Sequence, residues 1–357
     1  MHQARIEKLR LALQEQGLKA LLITNATNRL YMTGFTGSSG YVLVTESKAY
    51  LLTDFRYMTQ APQQATAYEV VEHAPRAMDT VKQLLEQQGI RKVGFEQNDL
   101  TYGTYLSTAQ ALSGIELAAT DGVVERLRII KDASELAVMQ EAADLADRTF
   151  THILGFLKPG VKELDIALEI EMFVRKNGAA STSFETIVAS GERSALPHGK
   201  ASDRLLQPNE FVKMDYGAYY KNYCSDITRT VVLGKPTDKH KEIYNIVLEA
   251  QLEALDKIKP GMTGKEADAL CRDVITRYGY GDYFGHGTGH GLGMEIHEEP
   301  RLSRQGNTVL TPGMTVTVEP GIYLPGFGGV RIEDDIVITE SGIKIVTQSS
   351  KDFIVLD

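Results

Sequence analysis

The chain has 357 residues, 43% hydrophobic and 24% charged, with a formal net charge of −9, which describes an ordinary globular protein with room for two domains and sizeable cores. The acidic balance and the lack of any Lys/Arg cluster argue against nucleic-acid binding, and no apolar run approaches the ~18 residues of a membrane span. Two cysteines, Cys224 and Cys271, form neither a disulfide framework nor a CxxC motif, so they read as packing residues of a protein from a reducing cytoplasm.

The first residues are charged and helical in pattern, unlike a signal peptide. An amphipathic helix is expected over 6–16, closed by Gly17, then a short buried strand over 20–24. Segments 41–45 and 49–53 read as a hairpin, 81–88 as a helix ended by Gly89, and 92–96 as a strand. This alternation predicts a modest α/β domain ending near Arg128. Beyond it, Asp132-Ala-Ser-Glu135 has the form of a helix start, with Asp132 as cap and Glu135 three residues on. The helix is expected to run to about Leu157 and to stop at Lys158-Pro-Gly160.

The remaining chain carries an internal repeat. Lys158-Pro-Gly160 recurs as Lys259-Pro-Gly261, and each is followed by a helical pattern that ends in glycine, Gly178 and Gly279. Two hairpin-like segments come next. One runs from Pro208 through Asp215-Tyr-Gly-Ala-Tyr219 to Asp226; the other runs from Pro312 through Glu319-Pro-Gly-Ile-Tyr323 to Glu333. In each, an acid lies seven residues after a proline, with Gly two residues on and Tyr four residues on. A second acid opens the next β-rich run. The order helix, Lys-Pro-Gly, helix, hairpin thus occurs twice. The period is too long for a solenoid and fits two fused halves of one domain with a site at their interface.

Asp215 and Asp226 are symmetric about the Tyr220/Lys221 junction, and Glu319 and Glu333 about Gly326, so each pair is expected to face across an antiparallel ladder. Two like charges ~5 Å apart repel unless neutralised. A divalent cation does that, and four carboxylates can hold two. The bland alternative, solvated acids on an exposed sheet face, fits Asp334 and Asp335, one of which could instead brace the loop, but it predicts neither the repeated placement nor the glycine beside each first acid. Four of the eight histidines add to the pattern: His198 lies in Ser-Ala-Leu-Pro-His-Gly, and His286, His290 and His297 lie in a glycine-rich run. His2, His73, His152 and His240 have no such setting. Oxygen-rich ligation with one or two imidazoles selects Mn, Co, Zn or Fe. Two such ions ~3.5–4 Å apart can activate a bridging water and polarise a carbonyl, while histidines nearby bind a developing oxyanion and pass protons. Amide or phosphoester hydrolysis fits this set. Only Arg331 lies in the motifs to meet a phosphate, so amide hydrolysis fits better.

At these residues the chain resembles the Xaa-Pro peptidases, prolidase and aminopeptidase P, over essentially its whole length. Asn28 to Gly37 and Thr53-Asp-Phe-Arg-Tyr57 look like the small creatinase-type N-terminal domain. The resemblance implies an α+β protein, with a creatinase-like α/β domain over 1–128 and a pseudo-two-fold pita-bread metallopeptidase domain over 129–357. It implies five metal ligands: Asp215 on one ion, Asp226 and Glu333 bridging both, His290 and Glu319 completing the second site. Glu319 resembles the proton shuttle for a bridging hydroxide nucleophile. His198, His286 and His297 resemble substrate-side histidines, and Arg331 an arginine that braces the ligands or meets the substrate. It further implies two divalent ions, manganese first, with cobalt, zinc or iron as alternatives. The partners implied are Xaa-Pro dipeptides and short proline-containing peptides, with no nucleic acid or membrane, and the assembly a cytoplasmic homodimer. Creatinase lacks the ligands, and methionine aminopeptidase lacks the N-terminal domain. A non-catalytic scaffold of this fold has lost ligands that this chain keeps. Xaa-Pro dipeptidase is favoured over an aminopeptidase P acting on longer peptides.

Overall fold

The computed structural model describes residues 1–357, which separate into two compact units, Met1–Arg128 and Ile129–Asp357. The first unit is built on a six-stranded mixed sheet in the order Glu69–Glu72, Ala49–Thr53, Tyr41–Thr45, Ala20–Ile23, Lys92–Glu96, Glu116–Thr120. Ala20–Ile23 is central and buried at every position, as a short apolar run covered on both faces must be. The hairpin strands over 41–45 and 49–53 and the strand over 92–96 have the expected bounds. The first helix, His2–Glu15, and the helix Ala77–Gln87 each begin four residues before the expected start. The short helix Ala26–Thr33, capped by the Asn25 side chain, was not marked by periodicity.

In the second unit, the helix Ala133–Ile153 opens on a complete capping box, with Asp132 and Glu135 exchanging side-chain and backbone bonds. It ends four residues earlier than expected. The Gly155 and Phe156 amides turn back to the His152 and Ile153 carbonyls, three residues away, which tightens and closes the last turn.

The repeat is a repeat of structure. Long helices Ala133–Ile153 and Asp238–Lys257 each precede a Lys-Pro-Gly turn, whose glycines stand at φ +88° and +91°. Helices Glu163–Lys176 and Gly264–Arg277 follow, their ends 101 residues apart. Each half then lays a sheet against its own helix pair. The first sheet has the order Val355–Leu356, Ile227–Leu233, Glu210–Tyr216, Ile187–Ser190; the second Glu298–Leu302, Gly289–Gly291, Thr315–Val318, Asp334–Ile338, Ile343–Ile345. Phe150, Ile170, Met214 and Val231 lie in the core of the first half, and Tyr244, Val247, Val316 and Ile336 in that of the second. Side chains of this size contribute ~1.5–3 kcal/mol each when fully buried.

The returning strands of the two halves meet in a seam. The Glu333 amide donates to the Thr228 carbonyl at 3.1 Å, and the Thr230 hydroxyl to the Arg331 carbonyl at 3.0 Å. Arg229, wholly buried, crosses the seam to pair with Asp334 at 2.7 Å and donates to the Ser349 and Ser350 carbonyls. The second acid of each hairpin, Asp226 and Glu333, therefore lies where the halves join.

Candidate metal centre

The first hairpin differs from the expected register. Its ladder pairs Asp215 with Thr228 and Tyr216 with Ile227, so Asp226 lies two residues short of the position opposite Asp215. The cause is the turn. Tyr220 pairs with Tyr223, and the two residues between them, Lys221 and Asn222, both have positive φ (47° and 70°). This two-residue turn centres the hairpin one position later than the Tyr220/Lys221 junction. A shift of two preserves the sheet face, and both acids still line one cavity. Gly217 lies between them because a Cβ there would sit 1.7 Å from the Ser225 carbonyl oxygen. Gly217→Ala is expected to destabilise the protein by about 1–3 kcal/mol or more, read as a lower urea midpoint. An unchanged midpoint would mean that the hairpin yields freely.

The second hairpin keeps its expected register. Thr315–Val318 pairs with Asp334–Ile338, and Gly321–Leu324 with Gly328–Arg331, on one continuous frame that puts Glu319 opposite Glu333. The ladder is interrupted there because Pro320 has no amide to donate. The Glu319 amide turns instead to the Thr288 carbonyl at 2.7 Å.

All nine residues singled out from the sequence line one cavity of about 320 Å³: Asp215, Asp226, His290, Glu319, Glu333, His198, His286, His297 and Arg331. Asp226, His290 and Glu333 present ligand atoms within 4.8 Å of one another. His290 Nε2 lies 3.5 Å from Glu319 Oε1 and 3.7 Å from Asp226 Oδ2. Its Nδ1 faces the Gly291 carbonyl at 3.0 Å, so the proton sits on Nδ1 and the Nε2 lone pair faces the acids. Burial pushes its pKa down to about 4, which keeps the ring neutral.

The acids are held at an electrostatic cost. Burial first, then repulsion from Glu333 and Asp215, lifts the Asp226 carboxyl well above its usual range. Burial, with Glu319 and Asp215, does the same to Glu333, and burial lifts Glu319 to about 7. Asp215 Oδ1, Asp226 Oδ1 and Glu333 Oε1 are buried without a hydrogen-bond partner. Partnerless carboxylate oxygens converging beside a neutral imidazole are a donor set for divalent cations, which supply the missing positive charge.

Arg331 is fully engaged. It pairs with Asp215 through Nη2, meets Thr228 Oγ1 at 2.9 Å through Nε, and reaches the Pro197 carbonyl (3.1 Å) and Tyr323 hydroxyl (2.9 Å) through Nη1. Of its two expected roles, the geometry gives it the bracing one. His286 places Nδ1 against the Gly287 carbonyl and Nε2 against the Tyr323 hydroxyl, both at 2.8 Å, so neither nitrogen is free for a substrate. Burial, with Arg331 adding, pushes its pKa down to about 3. His198 and His297 stand at the exposed rim, and the His297 ring meets that of His290 edge-on.

Asp334 and Asp335 are both buried rather than solvated. Burial works against the Asp334 charge, but Arg229 and Lys351 outweigh it and hold its pKa low. Asp335 accepts the Asp226 amide at 2.9 Å and so fixes the backbone of a ligand candidate. Sequence reasoning missed Arg301, Phe184 and Ile296 on the cavity wall, and Tyr323 as the group joining His286 to Arg331. Tyr323 was visible as a repeated position, but neither it nor its counterpart Tyr219 lines this cavity. Lys213, wholly buried on the strand that carries Asp215, was also missed.

Residues 137–340 match metallopeptidase family M24, and residues 5–130 the creatinase/prolidase N-terminal domain. A solved Xaa-Pro dipeptidase from Bacillus anthracis is 54% identical, with a TM-score of 0.98 over 100% of both chains. An Xaa-Pro dipeptidase of Pyrococcus horikoshii is 40% identical over 98% of each chain. An X-Pro aminopeptidase structure from Thermotoga maritima is 38% identical, with a TM-score of 0.91 over 97% of this chain and 100% of that one.

Proposed function

This chain is a member of metallopeptidase family M24 with a creatinase/prolidase N-terminal domain, a peptidase of pita-bread fold, and we propose that it hydrolyses the Xaa-Pro bond of dipeptides. One observation carries the dipeptide reading: a buried acid cage and the Arg301 side chain line the same small cavity. Arg331 is spent on bracing, whereas the ion pair that Arg301 makes, with Glu299, is a long one at 3.9 Å. In this reading Arg301 receives the free carboxylate of a C-terminal proline. Phe184, Ile187, Pro197 and Ile296 offer its ring an apolar wall. The relatives named as Xaa-Pro dipeptidases support the same substrate class.

In this reading Asp215, Asp226, His290, Glu319 and Glu333 would hold two divalent ions, with Asp226 and Glu333 contributed from the seam. Bound ions supply Lewis acidity toward the scissile carbonyl and acidify the attacking water. Glu319 would take a proton from the attacking water and return it to the leaving proline nitrogen. His198 and His297 at the rim donate to the carbonyl oxygen as its charge grows. Arg331 and Thr228 keep Asp215 and Glu333 oriented; the Thr228 hydroxyl donates to Glu333 Oε2 at 2.5 Å. His286, tied to Tyr323, steadies that brace. The family resemblance supports manganese as the first choice of ion, and a cytoplasmic homodimer.

A second reading, an Xaa-Pro aminopeptidase acting on longer peptides, is favoured by a neighbouring cavity of about 460 Å³ that shares His286, Gly287 and Ser303 with the first. Turnover of Ala-Pro, Ala-Pro-Gly and Ala-Leu by manganese-loaded protein separates the readings. Equal efficiency on Ala-Pro-Gly removes the strict dipeptidase reading, and equal efficiency on Ala-Leu removes proline specificity. Arg301→Met is expected to raise KM for Ala-Pro by about tenfold to a hundredfold, with little change in kcat, as a charged hydrogen bond of ~1.5–3 kcal/mol is lost. An unchanged KM would take the carboxylate away from Arg301.

A further inference from the structure

Lys213 and Asp215, two residues apart on the strand Glu210–Tyr216, share a sheet face. The Lys213 side chain is wholly buried and pairs with no carboxylate. Its Nζ donates to the Leu196 carbonyl at 2.6 Å and the Pro197 carbonyl at 3.3 Å, and lies 5.0 Å from the centre of the Tyr323 ring. Burying an ammonium against neutral carbonyls is costly, and an apolar side chain of similar length would fill the space more cheaply. What Lys213 alone provides is a long donor that reaches the two residues immediately before His198.

That segment is held at both ends. At its base the buried Glu163 accepts from the Ser190 amide and hydroxyl at 2.8 and 2.7 Å, and from the Ser202 amide and hydroxyl at 3.1 and 2.6 Å. At its tip the Pro197 carbonyl receives both Lys213 and Arg331 Nη1. The repeat gives an independent comparison. Asp215 corresponds to Glu319, so Lys213 corresponds to Thr317. The Thr317 hydroxyl accepts the His290 amide at 3.1 Å and donates to Glu319 Oε1 at 3.2 Å. The position two residues before the first acid thus braces the centre in both halves. In the second half a short hydroxyl serves residues beside it. In the first a long ammonium reaches out to the rim.

We propose that Lys213 is a positioning residue that sets His198 for the reaction by holding the Leu196 and Pro197 carbonyls. This rests on the reading above, in which His198 faces the substrate. The test compares Lys213→Met, His198→Ala and the double variant, with Ala-Pro turnover and metal content in manganese-loaded protein and the His198 ring resonances by NMR in protein loaded with diamagnetic zinc. Lys213→Met should lose about tenfold to a hundredfold in kcat/KM, mostly in kcat, as expected for a misplacement of ~1 Å. It should keep its full metal content and shift the His198 resonances, and the double variant should be no slower than His198→Ala. Losses that multiply in the double variant, or metal lost from Lys213→Met, overturn the proposal. The resonances separate its failure from that of the substrate reading. If the wild type does not cleave Ala-Pro, the reading falls, while unshifted His198 resonances in Lys213→Met overturn the positioning role regardless of substrate. If Lys213→Met does not fold, Lys213→Gln, whose amide is too short to reach both carbonyls, takes its place in the same comparison.

Discussion

Asp226→Asn is expected to lose at least one bound divalent ion per chain and about 10³-fold in kcat, because metal-ion catalysis supplies several kcal/mol of transition-state stabilisation and each ~1.4 kcal/mol is a factor of ten. Asp226 lies in the seam between the halves. Its amide is anchored by Asp335, one carboxylate oxygen has no protein partner, and the other faces His290 Nε2 at 3.7 Å. Asparagine keeps the size and the backbone bond but replaces one oxygen by an NH₂ group, which cannot ligate, and removes a charge. Elemental analysis after gel filtration reads the metal, and Ala-Pro turnover the activity. A variant with unchanged metal content would remove Asp226 from the shared position. One that keeps its metal yet loses activity would make it a catalytic group instead.

Stripping the metal is expected to make stability fall as pH rises, the reverse of ordinary acid denaturation. Glu319 moves from 4.5 to about 7 in the folded protein, and Asp226 and Glu333 are also raised, in each case chiefly by burial. A carboxyl whose native pKa exceeds its unfolded one binds more protons folded than unfolded in the interval between them. Its stabilising contribution is complete below the unfolded value and lost as pH rises through the native one. His286 and His290, with pKa values depressed by burial, act with the opposite sign over part of this interval. The three acids must therefore outweigh them for the metal-free protein to melt lower at pH 8 than at pH 5, as we expect. Manganese should restore the midpoint at pH 8 and do much less at pH 5, where protons already neutralise the cage. Metal-free Asp226→Asn should show a shallower pH slope. Calorimetry with and without chelator reads all three, and a metal-free protein equally stable at both pH values would contradict the strained cage.

The duplication was legible because its marks are local and redundant: Lys-Pro-Gly, a glycine closing each helix, and acids at matched distances from a proline. Register was legible only where the turn could be placed. The frame through Glu319 and Glu333 needed no more than symmetry about Gly326. The one through Asp215 depended on Lys221 and Asn222 both taking positive φ, which asparagine favours but lysine does not announce. Lys213 and Asp335 were hidden for a different reason. On strands buried at every position, alternation no longer separates inside from outside. The partners that explain these two residues, the Leu196 and Pro197 carbonyls and the Asp226 amide, are distant in sequence. Arg301 and Phe184 lie outside the repeated motifs and reach the cavity only through the tertiary fold.

The seam carries one more consequence. Asp215 and Asp226 come from the first half, and His290, Glu319 and Glu333 from the second. Neither half by itself can enclose an ion that needs both sets. An ion held by both sets would be a cross-link between two lobes that one polypeptide already joins. The free energy with which it is held and the free energy that keeps the lobes together are then linked. Mutations far from the cavity that loosen the lobes, such as those at Arg229 where it crosses to Asp334, thus act as mutations in metal affinity, although they touch no ligand.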